Sequence, residues 1–241
     1  MVLPPVNDAD SGDLDRTSAV LQGARAEEIM QWAVEQYAPN IALSCSFGGA
    51  SGMVLVDMAV RLDVADSLEV YYLDTGLLFE QTYDLVSEVE RRYGIRVSAF
   101  RPDQTVDEQA EQYGDKLWER NPDLCCSLRK VEPNFAALEG KKCWITGVRR
   151  DQSRARSKTS IVSWKPGFGI VKVNPLAHWS NSQVWEYIRT HQVPYNPLHD
   201  QGYPSLGCTV CTRKVEPDSV GPRSGRWPGF AKTECGLHMN G

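Results

Sequence analysis

The sequence predicts an α/β fold built on a mostly parallel sheet with helices on both faces, and two observations carry that prediction. Short apolar runs of strand character alternate with longer segments of helical period along most of the chain. Two of those strands close on turns rich in Gly, Ser, Asp and Thr, at residues 46–52 and 74–76, where ligands of open parallel sheets bind.

The elements follow in order. Residues 1–24, rich in Asp, Ser and Gly, read as a mobile N-terminal arm. From 26 to 37, Ile29, Met30, Trp32, Ala33 and Tyr37 fall on one face of a helix that Pro39-Asn40 ends. Residues 41–45 form a buried strand, and 53–60 are apolar enough for a helix packed on a sheet. A second strand at 69–73 leads through its turn to a helix at 79–93. Strands at 96–100 and 143–146 enclose helices at 105–118 and 127–139. A further strand spans 171–176, and Ser180 caps a helix carrying Val184, Trp185, Tyr187 and Ile188 inward. Residues 191–207 are loop-like, and the Gly/Pro-rich stretch 221–229 reads as flexible. The expected organisation is an arm (1–24), one α/β domain (25–215) and a flexible C-terminal tail (216–241).

Composition narrows the function. The chain has 241 residues, 41% of them hydrophobic, with 26 Lys and Arg against 31 Asp and Glu. That is too large for a disulfide scaffold, and no apolar run approaches the roughly 20 residues that span a bilayer. The N-terminus lacks a basic segment and an apolar core, so the chain reads as cytoplasmic, where thiols stay reduced. A net charge of −5 argues against a nucleic-acid partner, and neither a membrane partner nor a fixed oligomeric state is indicated, though a homo-oligomer is compatible. Seven cysteines, an odd number, then call for metal or catalytic roles.

Turn 46–52 offers backbone N–H groups and serine hydroxyls at a helix start, a cradle for phosphate. It lacks the Gly-Lys-Ser/Thr ending of a Walker A loop. Cys125-Cys126 and Cys208-x-x-Cys211 provide four thiolates for a structural zinc or an iron–sulfur cluster, and the contiguous pair favours iron–sulfur. Lys130 lies four residues after Cys126, one helical turn along the same face. Arg149, Arg150, Arg154, Arg156 and Lys158 crowd beside the single acid Asp151 just after a strand, which suggests an anion site rather than a solvated charge run. Cys235 lies beyond the Gly/Pro stretch, where a mobile thiol suits a nucleophile that visits two partners, with Lys232 or His238 favouring its thiolate. Cys45 and Cys143 sit in apolar strands as packing residues, as do Trp144, Trp164, Trp179 and Trp185, and His178, His191 and His199 have no ligand spacing.

Together these residues resemble the assimilatory adenylyl-sulfate reductases, relatives of the phosphoadenylyl-sulfate reductases within the ATP pyrophosphatase-like (adenine nucleotide alpha hydrolase-like) superfamily. The resemblance runs from about Ile41 to His238. It is carried by Ser46-Phe47-Gly48-Gly49-Ala50, Leu73-Asp74-Thr75-Gly76, Cys125-Cys126-Ser127-Leu128-Arg129-Lys130, Trp144-Ile145-Thr146-Gly147 with Arg149-Arg150, the Gly207-Cys208-x-x-Cys211 segment and Glu234-Cys235-Gly236-Leu237-His238.

The resemblance implies a 4Fe-4S cluster on Cys125, Cys126, Cys208 and Cys211, Cys235 as nucleophile and thioredoxin as electron donor. It implies adenosine 5′-phosphosulfate as substrate, because cluster-free phosphoadenylyl-sulfate reductases lack both cysteine pairs. Some cluster-bearing relatives also accept the 3′-phosphorylated form. The expected substrate contacts are Ser46, Phe47, Gly48, Gly49, Asp74, Thr75, Gly76, Lys130, Arg149, Arg150, Arg156, Arg223, Arg226 and His238. One departure is that Ser51-Gly52 stands where the superfamily loop often carries an acid, which speaks against metal-assisted ATP chemistry. Rival readings are a tRNA-thiolating enzyme, disfavoured by the acidic balance, and a zinc-stabilised nucleotide-binding module, which leaves the Glu-Cys-Gly-Leu-His tail without a purpose.

Overall fold

A computed structural model describes residues 11–215, 223, 225–232 and 234–237. Its sheet contains β1 (Ile41–Ser44), β2 (Glu69–Leu73), β3 (Val97–Phe100), β4 (Cys143–Thr146), β5 (Val162–Lys165) and β6 (Ile170–Val173) in the order β3-β2-β1-β4-β6-β5. All pairings are parallel except that of β5 with β6. The central strands are buried on both faces, which is why β1 and β4 read as unbroken apolar runs rather than as alternating ones.

The two faces carry different material. Ile41, Leu43, Val70, Tyr72, Cys143, Ile145, Val171 and Val173 point into the larger core. That core is covered by α1 (Ser11–Val20), α2 (Ala26–Tyr37), α3 (Ala50–Arg61), α4 (Glu80–Tyr93) and, further along the chain, the helix after Ser180. Ala42, Tyr71, Trp144 and Ile170 point the other way. Between β3 and β4 lie α5 (Val106–Tyr113), α6 (Leu117–Arg120), α7 (Pro122–Cys126) and α8 (Glu132–Leu138), and only α8, through Ala137 and Leu138, packs on this second face. Leu237, from the chain's end, completes its cover. The last helix, α9 (Asn181–His191), has the expected cap, with the Gln183 N–H donating to Ser180 Oγ at 3.3 Å.

The sequence reading needs correction at several elements. The arm expected to be mobile is, over residues 11–23, a helix and a 3₁₀ turn packed on the edge strand β5. Leu14 and Leu21, seven residues apart, are 1% and 0% exposed, and Ser18 Oγ accepts from the Val162 N–H. The two leucines make a stripe too thin to show above the polar composition. Leu14→Ala is expected to destabilise the fold by about 2–5 kcal/mol in urea unfolding; a midpoint equal to that of the unsubstituted chain would mean the helix is not part of the folded unit. Strand β5 was not anticipated, since its four residues form a short edge strand with half-exposed and exposed residues in the middle. The expected helix at 105–118 is divided at Gly114, whose φ of 80° stops α5.

The helix expected at 127–139 starts earlier, at Pro122, and widens into a π turn over Ser127–Val131 before α8. Pro133 has no N–H to return to the Arg129 carbonyl, and the Glu132 N–H reaches the Ser127 carbonyl instead. In the tail, the described residues hold no helix or strand beyond one bridge between Thr212 and Arg226. Trp227, Glu234 and Leu237 are nevertheless buried against the domain. Among the described residues no helix is long and apolar enough to cross a membrane.

Candidate active site

The chain leaves β1 toward β2 and β3 on one side, and returns through β4 to β6 on the other. The carboxyl ends of β1 and β4 therefore flank a crevice, and a cavity of about 750 Å³ opens there. The β1 side contributes Ser46, Gly48 and Gly49, the β4 side Gly147 and Arg149, and the tail closes over it with Arg223, Arg226 and Cys235. Gly147 is required by proximity: a Cβ there would stand 3.0 Å from Ser51 Cβ and 3.1 Å from the Gly52 nitrogen. The two sides of the crevice meet at that point.

Several expected substrate contacts are turned elsewhere. Phe47 is fully buried with its ring edge-on to Tyr72 at 5.8 Å, and its carbonyl accepts from Asn196 Nδ2. Asp74 is an organiser of its own turn, accepting from the Gly76 N–H at 3.1 Å, the Tyr83 hydroxyl at 2.7 Å and Arg101 Nε at 2.9 Å. Gly76 lies with it, outside the cavity wall, and a Cβ there would meet the Arg129 guanidinium at 3.2 Å. Arg150 points outward to the Thr159 carbonyl and His178. Thr75, by contrast, lines the cavity. His238 lies outside the described residues.

Of the expected cations, Lys130, Arg149, Arg156, Arg223 and Arg226 do converge on the cavity. Arg149 donates to Ser51 Oγ and pairs with Asp151 at 3.0 Å, so the Ser51 hydroxyl serves as an acceptor for this guanidinium. Arg156 grips Glu234 through two bonds, Nε–Oε1 at 2.9 Å and Nη2–Oε2 at 2.6 Å. Ser153 Oγ adds a third at 3.1 Å, and Arg223 stands 3.4 Å from the same carboxylate. Burial pushes Glu234 up, but Arg156 and Arg223 outweigh it and hold the carboxyl below its ordinary range. Burial and the nearby Arg156 pull Arg223 down to about 10. Arg226 lies over the Trp227 ring at 4.6 Å and donates to the Leu206 carbonyl at 3.1 Å, against Gly207, where a side chain would collide with the guanidinium.

All seven cysteines are free. Cys126, Cys208 and Cys211 share one cluster with Trp227, against which Cys235 packs, and Cys125 feels the charge of the other three. Thr75 Oγ1 is 3.3 Å from Cys208 Sγ. Burial and the neighbouring thiols push Cys125 up to about 12 and Cys211 up to about 11. Among the described residues no three His, Cys, Asp or Glu side chains are grouped closely enough to hold a single metal ion. As a donor set, four buried free thiols gathered from two segments, with Lys130 beside them, fit an iron–sulfur cluster in ligand type and charge.

Cys235 is half-buried at the cavity. Burial raises its thiol, but Lys130, the Leu237 N–H, Arg226 and Arg156 together bring it below the ordinary thiol value. Lys130 shows the reciprocal effect: burial disfavours its charge, and the thiols of Cys208 and Cys235 more than restore it. Lys232, expected to assist Cys235, pairs instead with Asp123 on α7 and ties the tail to the cysteine helix. Cys45 is buried and pushed up to about 12 by burial, as a packing thiol should be. Trp144 and Trp185 were read as packing alone, yet both also line the cavity, with Asn134, Asn181, Arg189 and His199. For Asn134 a signal existed, since it continues the four-residue spacing from Cys126 and Lys130.

Comparison with known proteins agrees with this geometry. Residues 40–214 match the family described as the phosphoadenosine phosphosulfate reductase domain. The chain is 47% identical over 216 residues to the adenosine 5′-phosphosulfate reductase of Oceanobacillus iheyensis, covering 89% of this chain and 88% of that protein. It is similar to the crystal structure of phosphoadenylyl-sulfate reductase from Candida auris in a phosphate complex, with a TM-score of 0.74 and 32% identity over 88% of this chain and all of that one. FMN adenylyltransferase from Candida glabrata, at 16% identity and a TM-score of 0.58 over 90% of this chain and 73% of that one, shares the fold.

Proposed function

The chain belongs to the phosphoadenosine phosphosulfate reductase family, oxidoreductases acting on sulfur, and from that premise we propose that it reduces adenosine 5′-phosphosulfate to sulfite and AMP through a Cys235 S-sulfonate. The observation that carries the reading is the placement of Cys235 against the cavity, with Lys130, Arg226 and Arg156 lowering its thiol. The thiolate attacks the sulfuryl sulfur, an S–S bond forms, and the S–O bond to phosphate breaks with AMP taking the electron pair. Lys130, Arg156, Arg223 and Arg226 offset the repulsion between thiolate and substrate and the charge gathering on the leaving phosphate. Backbone groups of Gly48 and Gly49 and the Ser46 hydroxyl hold the nucleotide's phosphate at the start of α3.

The second half returns the enzyme. A thiolate of reduced thioredoxin attacks Cys235 Sγ, sulfite leaves, and the donor's second thiol resolves the mixed disulfide, so the dithiol supplies both electrons. Cys125, Cys126, Cys208 and Cys211 would hold a 4Fe-4S cluster, whose bound form contributes fixed negative charge beside Lys130. A reducing cytoplasm, and a place in sulfate assimilation that feeds cysteine synthesis, follow from this chemistry.

Sulfite release measured side by side with adenosine 5′-phosphosulfate and its 3′-phosphorylated form tests the reading. A strong preference for the first is expected, and turnover of neither would overturn it. The purified protein is also expected to carry iron and acid-labile sulfide, with Cys208→Ser losing most of both. Stoichiometric zinc without iron would favour the zinc-stabilised module instead.

A further inference from the structure

Asn134 sits inside α8, 1% exposed, yet only half of its amide is satisfied. Its Oδ1 accepts from the Tyr71 hydroxyl at 2.7 Å, and its Nδ2 has no partner among the described residues. The Tyr71 hydroxyl is the donor in this bond and holds the Oδ1 end of the amide on its side. A buried amide N–H group left unpaired is costly, and native structures keep few of them without a reason. The reason here is position: Asn134 lines the cavity, one helical turn beyond Lys130. The tail crosses the same helix, where a Cβ on Gly236 would meet Val131 Cγ2 at 3.6 Å. The segment that carries Cys235 thus passes the helix about one turn from Asn134, and both residues line the same cavity.

Resting on the functional reading above, we infer that Asn134 is a further catalytic residue, whose Nδ2–H donates to a sulfuryl oxygen of the substrate while Cys235 attacks. A neutral donor suits this place. Lys130 and the arginines already supply charge, and an amide adds a directed hydrogen bond to the transferring group without further raising affinity for every anion. The bond is made to a group that AMP does not possess, so it should leave AMP binding alone.

The test is single-turnover formation of the Cys235 adduct from labelled substrate by Asn134→Ala and by Asn134→Leu, which is close to asparagine in size, adds no charge and removes the donor. Adduct formation should slow roughly tenfold to a hundredfold in both variants. The dissociation constant for AMP and the iron content should match wild type, a split that a general loosening of the helix would not give. An unchanged rate in either variant, or equal losses in rate and AMP affinity, overturns the inference. If neither variant folds, Tyr71→Phe decides: it frees the amide to rotate, a loss of several-fold is expected, and a wild-type rate overturns the assignment. Wild-type enzyme that forms no adduct would defeat the functional reading and the inference together, whereas a normal wild-type adduct with unimpaired variants defeats the inference alone.

Discussion

Replacing Cys235 with Ser is expected to lower turnover by roughly 10⁴-fold or more, the scale on which removal of a covalent nucleophile usually registers. Both halves of the reaction fail for chemical reasons. A serine hydroxyl is not ionised at neutral pH, and the cations that favour the Cys235 thiolate cannot bring it within reach. Even a sulfonated serine would hold an S–O bond, which thiol exchange cannot open to give sulfite. Sulfite release should fall to background, and no labelled adduct should survive gel filtration under denaturing conditions. A stable adduct in the serine variant would move the nucleophile to another residue, with half-buried placement and cationic neighbours the criteria for finding it.

Lys130→Met is expected to slow adduct formation by about 10²–10³-fold, the loss typical when a fixed electrostatic contact to developing charge is removed. Its ammonium does more than any other group to bring the Cys235 thiol down, and it also favours the Cys126 thiolate. Methionine keeps the length of the side chain and removes only the charge. The size of the effect separates Lys130 from the arginines, since Arg156 and Arg223 already share Glu234. Rapid-quench measurement of the adduct, with iron content as a control, reads the outcome. A rate within twofold of wild type would assign Lys130 to the cysteines alone.

The sheet and most of its helices were legible because buried parallel strands leave unbroken apolar runs, as at Ile41, Ala42 and Leu43. Elements with one thin apolar stripe were not. Leu14 and Leu21 sit among Asp, Ser and Gly, and Val162 to Lys165 form a half-exposed edge. Cys125, Cys126, Cys208, Cys211 and Lys130 stand out by their spacing, and Cys235 by its place beyond the Gly/Pro stretch. Which neighbours of a motif face the cavity could not be read, because a turn aims its residues in several directions. Ser46 and Gly49 face inward, while Phe47 between them fills the core. Glu234 could be named as part of the tail motif, but its role could not be read, because it depends on two arginines, one 78 residues earlier in the chain, that only the fold brings to it.

Cys126, Lys130 and Asn134 stand four residues apart on one continuous helix, so a thiol, an ammonium and a neutral amide follow one another along its axis. The π turn between them holds one residue more than an α turn of the same reach. This segment should therefore tolerate changes of composition better than changes of length. Ser127 and Leu128, both half-buried, can be replaced with modest effect, whereas deleting either residue would convert the wide turn to an ordinary one. Lys130 would then follow Cys126 by three residues instead of four, and it and Asn134 would shift together relative to the cysteine pair.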